Sequence, residues 1–222
     1  MTISALVSAY YAERFLHQRL TNLKEQSAEV EAVVVCQKGS KEAEIAKNFD
    51  VRVIVTPDIP TIGVAWNIAI RAASGDYCVV ANTDDYFLPD GLKILADVLD
   101  EHPEAGYVFS NVLLAERGKL TPRPNHGRLD KPGLIPNAHA ILKRRYFCGP
   151  MPMWRRSLHE RYGYFDEEYI VASDYDWVYR LASAGVGIYW LDKNAGVYRV
   201  RYDSLEHRNK VLIPVENGRV RA

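Results

Sequence analysis

The chain has 222 residues, of which 48% are hydrophobic, and its 28 Lys and Arg balance its 28 Asp and Glu to a net charge of zero. This length and composition fit one large domain with a sizeable core better than two small ones. No apolar stretch is long enough to span a bilayer and the N-terminus lacks a secretory signal, so we expect a cytoplasmic protein. The three cysteines lack metal-like spacing, which argues against a disulfide framework or a zinc site.

Apolar runs with strand character alternate with helical periodicity in the first part of the chain. We predict strands at 3–8, 30–36, 51–56 and 77–81 and helices at 13–26, 41–48 and 63–73. This alternation indicates an α/β fold in which crossover helices connect the strands of a mostly parallel sheet.

The pattern loosens after residue 88. Pro89 and Asp90 suit the start of a helix that continues with apolar residues at helical spacing through Leu99. We then predict a strand at 106–115, a helix at 174–184, short strands at 187–191 and 195–200, and a tail. The polar stretch at 117–136 is rich in Pro and Gly and predicts a long loop, of the kind that often acts as a lid.

Two adjacent acids, Asp84 and Asp85, follow the buried strand at 77–81 and precede the helix. Open α/β sheets bind ligands at loops in this position. Neighbouring carboxylates repel each other unless a cation or a proton lies between them, and Mg²⁺ and Mn²⁺ prefer such oxygens together with phosphates. The pair therefore indicates either a metal and phosphate site or an ordinary Asp-Asp turn with a helix cap.

The two halves of the chain carry opposite charge. Residues 1–116 hold nine Lys and Arg against 17 Asp and Glu, whereas residues 117–222 hold 19 against 11. Basic surface attracts phosphate-bearing partners such as a nucleic acid, an anionic membrane or a nucleotide diphosphate. Solvated surface charge explains the same composition, and no motif of a known nucleic-acid-binding module is present.

Five motifs, taken in order, resemble the family-2 glycosyltransferases of the GT-A fold. They are VVVCQKGS at 33–40, GVAWNIAI with ASGDY within 63–77, NTDD with LPDGL within 82–92, GYFDE at 163–167 and SDYDWVYRL at 173–181. The resemblance covers about residues 1–205. It implies a single GT-A-like domain, a nucleotide-diphospho-sugar transferase fold in which 1–116 bind the nucleotide and 117–205 the acceptor, followed by a tail at 206–222.

The resemblance implies a metal-dependent, inverting glycosyltransferase that moves a sugar from a nucleotide-diphosphate sugar to an acceptor hydroxyl. Asp85 would ligate Mn²⁺ or Mg²⁺, and Asp84 would contact the metal, the ribose or the sugar. Asp174 occupies the place of the base that an inverting transfer needs. It could otherwise be a plain helix cap, and Ser173 replaces the acid that usually precedes it.

On the donor side, Ser8, Ala9 and Tyr10 match the segment that flanks the base, and Tyr10 or its neighbouring tyrosine could stack on it. Asn67 belongs to the second motif and is expected to contact the donor. Gln37 stands where the family commonly has an Asp pair, and its amide can donate to and accept from a base edge. We therefore favour a UDP-sugar, with guanosine and thymidine nucleotides as alternatives.

Arg201 stands where the family often has a metal-binding His. An arginine cannot ligate a cation, but it can neutralise a diphosphate directly. His207 is the candidate that could replace the missing ligand. Trp154 lies in the segment that shapes the sugar pocket, where it is either a platform for a sugar or a core residue.

Two further hypotheses concern the partner and the activity. The basic half could hold DNA, in which case the acceptor would be a hydroxymethylated base, although saccharide acceptors are favoured. Alternatively, Gln37 and Ser173 could mark a non-catalytic module that binds a sugar nucleotide or a nucleic acid. The intact Asp84, Asp85 and Asp174 argue against that module.

Overall fold

The computed structural model describes residues 2–123, 129 and 131–222. The strands are β1 (Ile3–Ala9), β2 (Val30–Gln37), β3 (Arg52–Thr56), β4 (Tyr77–Val80), β5 (Tyr86–Phe87), β6 (Ala105–Glu116), β7 (Lys119–Arg123), β8 (Gly133–Leu134), β9 (Met153–Arg155) and β10 (Gly187–Arg199). The helices are α1 (Glu13–Lys24), α2 (Lys41–Ala46), α3 (Ile62–Ala72), α4 (Gly91–Glu101), α5 (Ala138–Leu142), α6 (Leu158–Tyr162), α7 (Ser173–Ser183), α8 (Leu205–Arg208) and α9 (Leu212–Arg221).

The described strands form one sheet in the order β3-β2-β1-β4-β9-β6-β10-β5, with β7 and β8 paired to β6 and β10. β1 pairs in parallel with β2 and β4, β2 with β3, and β6 with β10. The short β9 runs antiparallel between β4 and β6. The predicted α/β fold with a mostly parallel central sheet is therefore confirmed.

Helices cover both faces of the sheet, which explains why its central strands are apolar on both sides. Alternate residues of β1 enter two different cores. Leu6 packs in the core that includes Trp66 of α3 and Trp177 of α7. Val7 packs in the core that includes Leu20 of α1 and Leu95 of α4. The carboxyl ends of β1 and β4 thus emerge between two packed layers.

The structure corrects several predicted elements of the second half. Residues 119–123, predicted as loop, form β7, which turns back onto β6 through Arg117 and Gly118, both at positive φ. Residues 124–128 and 130 of the same predicted loop lie outside the described residues. The two strands predicted at 187–191 and 195–200 are one strand, β10, with register shifts around Asn194.

Further elements escaped the sequence pattern. β5, α5, β9 and α6 are too short to show a period. The predicted tail at 206–222 contains most of α8 and all of α9, whose buried side chains include Val220. Within the described residues, no helix has the length and apolar character needed to cross a membrane.

Trp154 of β9 is a core residue, which was one of its two alternatives, and it offers no platform for a sugar. Its side chain is fully buried, and its indole N–H donates to His159 Nε2 at 2.8 Å. The His159 ring stacks on Trp177 with ring centroids 4.4 Å apart, and its Nδ1 lies 2.9 Å from the Gly163 carbonyl oxygen. This cluster fixes α7 against the sheet.

α4 begins at Gly91, with Asp90 at its N-cap, so Pro89 precedes the helix rather than opening it. Gly91 is required by a close approach of two backbones. A Cβ atom built on Gly91 would lie 2.0 Å from the carbonyl oxygen of Ala195 in β10. The absence of a side chain therefore allows β10 to pass beside the start of α4.

We predict that Gly91→Ala lowers the free energy of unfolding by about 1–3 kcal/mol, because the methyl group must displace the β10 backbone. The matched control is Gly218→Ala in α9, where a Cβ would meet no atom within 4 Å. That change should leave stability equal or higher, since alanine favours a helix over glycine by about 1 kcal/mol. Urea denaturation of both variants measures the difference, and equal stabilities would contradict the close-approach argument.

The buried His159 predicts a pH dependence of stability. Burial lowers the pKa of His159 to about 4, whereas an unfolded histidine has a pKa of about 6.5. Between these values the unfolded chain binds the proton and the folded chain does not. The free energy of unfolding should therefore fall as the pH decreases through this window, by up to about 1.4 kcal/mol per pH unit.

Urea denaturation between pH 4 and 7 tests this prediction, with the variant His159→Gln compared to His17→Gln, which alters an exposed histidine. We expect the pH dependence to flatten in His159→Gln and to persist in His17→Gln. The same slope in both variants would show that other groups cause it.

Candidate active site

The loop that carries Asp84 and Asp85 lies between the end of β4 and the start of α4. The short strand β5 follows the two acids directly and pairs antiparallel with Gly196 and Val197 of β10. The acids are therefore held between the first half of the chain and the end of β10, as expected for a ligand loop at the carboxyl end of a sheet.

Asp85 is buried, with 3% of its surface exposed. Its Oδ1 accepts a hydrogen bond from the backbone N–H of Arg199 at 2.9 Å, while its buried Oδ2 has no hydrogen-bond partner among the described residues. Burial, followed by the charge of Asp84, raises the pKa of Asp85 to about 7. The carboxylate thus retains an unused oxygen that would gain from a proton or a cation.

Arg19 of α1 is the buried cation of this region. Its Nη1 donates to Asn22 Oδ1 at 3.1 Å, and its guanidinium lies 4.5 Å from the centroid of the Phe87 ring. Burial lowers the pKa of Arg19 to about 10, although the charges of Asp85 and Asp84 oppose this shift. The positive charge of Arg19 therefore compensates part of the negative charge of Asp84 and Asp85.

Asp84 has a direct partner in Arg201. Nη1 of Arg201 lies 2.8 Å from Asp84 Oδ2, and its Nε lies 3.0 Å from Asp203 Oδ1. The guanidinium also lies 4.6 Å from the centroid of the Phe15 ring. Arg201 is thus placed beside the acids, as its position in the sequence predicted, and it shares its charge between two carboxylates.

The residues around Asp85 fit a hard divalent cation, because an oxygen of Asp85 is buried without a partner beside a second carboxylate. Among the described residues, however, no group of three or more His, Cys, Asp or Glu could hold a metal ion. His207 therefore does not join Asp84 and Asp85 in such a group. Its Nδ1 lies 2.9 Å from Ser204 Oγ, at the start of α8. A cation here would need further oxygens from a ligand.

Asp174 lies in the first turn of α7, one residue inside the helix, because Ala172 is the N-cap. Its Oδ2 accepts a hydrogen bond from the Tyr146 hydroxyl at 2.9 Å, and its Oδ1 accepts the Tyr175 backbone N–H at 2.8 Å. Burial raises the pKa of Asp174, and the hydrogen bond from Tyr146 opposes that rise. Asp174 is therefore not the N-cap of α7, which was its structural alternative.

One cavity of about 1560 Å³ brings most of these groups together. Seven of the residues predicted from the sequence line it, namely Ser8, Tyr10, Asp84, Asp85, Asp174, Arg201 and His207. Tyr11 and Met151 also line it and have φ angles of 50° and 60°. Backbone strain at residues other than glycine often marks a functional site.

Three predicted site residues are not among those that line the cavity. Ala9 is fully buried in the core, and the Gln37 amide nitrogen lies 3.4 Å from the Pro57 carbonyl oxygen. Asn67 is also buried, and its side chain exchanges two hydrogen bonds with the backbone of Phe165, at 2.8 and 3.0 Å. These contacts give Asn67 a structural task, which is to join α3 to the loop before α7.

Several residues that line the cavity lacked a sequence signal. Tyr146 follows the basic run 143–145. That run predicts a charged surface and gives no indication that the next side chain would contact a carboxylate in the cavity. Ile213 and Asn217 belong to α9, in the predicted tail. Their contribution depends on tertiary packing, since only the folded chain brings Ile213 and Asn217 to the wall of the cavity that Asp174 also lines.

The family model described as glycosyl transferase family 2 matches residues 4–163. An uncharacterized glycosyltransferase of Haemophilus influenzae is 24% identical over 110 residues, which are 48% of this chain and 37% of that protein.

Two similar solved structures are S. aureus TarS 1-349 in complex with UDP and the mannosyltransferase PcManGT from Pyrobaculum calidifontis in complex with GDP-Man and Mn²⁺. TarS has a TM-score of 0.72 at 22% identity, covering 97% of this chain and 65% of the other. PcManGT has a TM-score of 0.73 at 19% identity, covering 99% and 64%. The chain therefore shares their fold and spans less than two thirds of their length.

We predict that Tyr146→Phe raises the pKa of Asp174, because the phenol hydrogen bond favours the ionised carboxylate. The shift should be seen in the ¹³C NMR titration of the Asp174 carboxyl group. Tyr179→Phe, which changes another tyrosine within α7 itself, is the control and should leave this titration unchanged. An unchanged or lower pKa in Tyr146→Phe would contradict the proposed contact.

Proposed function

The chain belongs to glycosyl transferase family 2, and from this membership we propose that it transfers a sugar from a nucleotide-diphosphate sugar to an acceptor hydroxyl group. The observation that carries the proposal is that Asp84, Asp85 and Asp174 line the same cavity. These carboxylates come from sequence positions about ninety residues apart. Their convergence provides one group for the leaving diphosphate and another for the acceptor.

The negative charge that develops on the leaving nucleotide diphosphate must be stabilised by a positively charged group. Asp85 and Asp84 would hold Mn²⁺ or Mg²⁺, which when bound neutralises the charge that develops on the diphosphate. The buried free oxygen of Asp85 supports this assignment. Arg201 can exchange its contact with Asp84 for a phosphate oxygen, since a guanidinium binds either anion in the same fork geometry.

The acceptor hydroxyl needs a base, and Asp174 is the proposed one. Its carboxylate would take the hydroxyl proton as the oxygen attacks the anomeric carbon from the side opposite the diphosphate, with inversion of configuration. The burial of Asp174 supports this role because it raises the pKa and makes the carboxylate a stronger base. The hydrogen bond from Tyr146 would fix the orientation of the carboxylate.

We propose a UDP-sugar as the donor, with Ser8 and Tyr10 near the base and residues 1–116 as the nucleotide-binding part. The UDP bound to the similar TarS structure supports this choice, and the GDP-Man bound to PcManGT keeps guanosine as an alternative. The acceptor would be a saccharide or another hydroxyl compound bound by residues 117–205. DNA as an acceptor stays a prediction from the charge of that half.

The test is a panel of nucleotide sugars with Mn²⁺, in which mass spectrometry detects the released nucleotide diphosphate and the free or transferred sugar. We expect turnover of one donor, reduced about 100-fold or more in both Asp85→Asn and Asp174→Asn, since each change removes a group required in the transition state. Asp97→Asn, which alters a residue of α4 whose side chain is 44% exposed and pairs with Lys93, is the control and should retain activity.

Two results would contradict the proposal. If the protein bound neither a nucleotide sugar nor Mn²⁺ or Mg²⁺, the glycosyltransferase activity would be wrong. If a donor turned over equally in wild type and Asp174→Asn, Asp174 would not be the base. Metal-dependent binding of a donor without any turnover in wild type, across a range of acceptors, would favour the non-catalytic module.

A further inference from the structure

The loop that leads into α7 lacks a capping side chain of its own. Ala172 occupies the N-cap, where Ser, Thr, Asp or Asn would supply an oxygen to the first turn. The N–H groups of residues 170–172 also lie outside any strand or helix, so each needs an acceptor. The position of Asp174, two residues further on, depends on how this loop is held.

The acceptor is Glu216, from α9. Its Oε1 accepts the backbone N–H of Ile170 at 3.0 Å, and its Oε2 accepts those of Val171 and Ala172 at 2.9 and 3.0 Å. Three consecutive N–H groups thus converge on one buried carboxylate, in a geometry suited to an anion. The negative charge also lies at the N-terminal, positive end of α7.

α9 is itself fixed against the same loop. Arg219 forms an ion pair with Glu168, and its guanidinium lies 4.9 Å from the centroid of the Tyr169 ring. Val220 is buried in the core. These contacts lie one turn along the helix from Glu216 and hold α9 against the loop that its carboxylate contacts.

α9 also forms part of the cavity wall. Ile213 and Asn217 line the cavity together with Ile170, Val171 and Asp174. Glu216 is not among the residues that line the cavity. It therefore touches the backbone that carries the proposed base, while its neighbours in α9 touch the space that an acceptor would occupy.

We propose that Glu216 is a positioning residue for the transfer reaction, which holds the loop before α7 so that Asp174 faces the acceptor. This inference rests on the proposed function for its catalytic consequence, and on the hydrogen bonds of Glu216 for its structural content. The segment predicted as a tail is thereby part of the active site.

The test compares Glu216→Gln, which keeps the shape of the side chain, with Glu160→Gln, which changes an exposed glutamate of α6. Hydrogen exchange of the amides at 170–172 should be about tenfold faster or more in Glu216→Gln, since one carboxylate oxygen is replaced by an N–H donor. The kcat should fall about tenfold while the KM for the donor changes less than about twofold. Glu160→Gln should match wild type in every measurement.

The outcomes separate this inference from the proposed function. If wild type turned over no donor, the proposed function would fail, and exchange at 170–172 together with the ¹³C shift of Asp174 would still decide the role of Glu216. Faster exchange and a displaced Asp174 shift would support it. Unchanged exchange in Glu216→Gln, or a kcat loss that merely follows the unfolded fraction, would overturn it.

Discussion

The structure around the cavity depends on one electrostatic constraint, which is that Asp84 and Asp85 place two carboxylates on neighbouring residues at the end of a buried strand. Three groups of the chain compensate the negative charge of these carboxylates. The backbone N–H of Arg199 donates to Asp85, Arg201 forms an ion pair with Asp84, and the buried charge of Arg19 acts on both acids. Because Arg199 and Arg201 stand at or just after the end of β10, that strand must run to the acid loop, and Gly91 leaves room for it.

The sequence was sufficient for the fold class, the family and the location of the acids. Each of these depends on local patterns, such as the alternation of apolar runs or the two acids after 77–81. Such patterns can be recognised without knowledge of the tertiary structure. The family match over residues 4–163 and the mixed sheet confirm them. Asp174 could be singled out for the same reason, since its motif lies within nine consecutive residues.

What the sequence could not provide are contacts between distant positions. Asn67 belongs to a recognisable motif, but only the folded chain shows that its amide bonds to Phe165. Trp154 looked equally suited to a pocket and to a core until β9 was found inside the sheet. Glu216 lies in a polar segment with no period of its own, and its three N–H partners are more than forty residues away. Propensity and spacing hold no information about such pairs.

The hydrogen bonds between Glu216 and the loop before α7 also affect the order in which parts of the chain can fold during synthesis. During synthesis at about 5–20 residues per second, the stretch from Ala172 to Glu216 takes several seconds to be made. The strands β1 to β4 and the helices between them are already made and can pack in that interval, whereas the amides at 170–172 wait for their acceptor. The nascent chain thus passes through a stage at which its first half can pack while the loop before α7 still lacks its acceptor, so a protease would cleave this loop more readily then than in the completed fold.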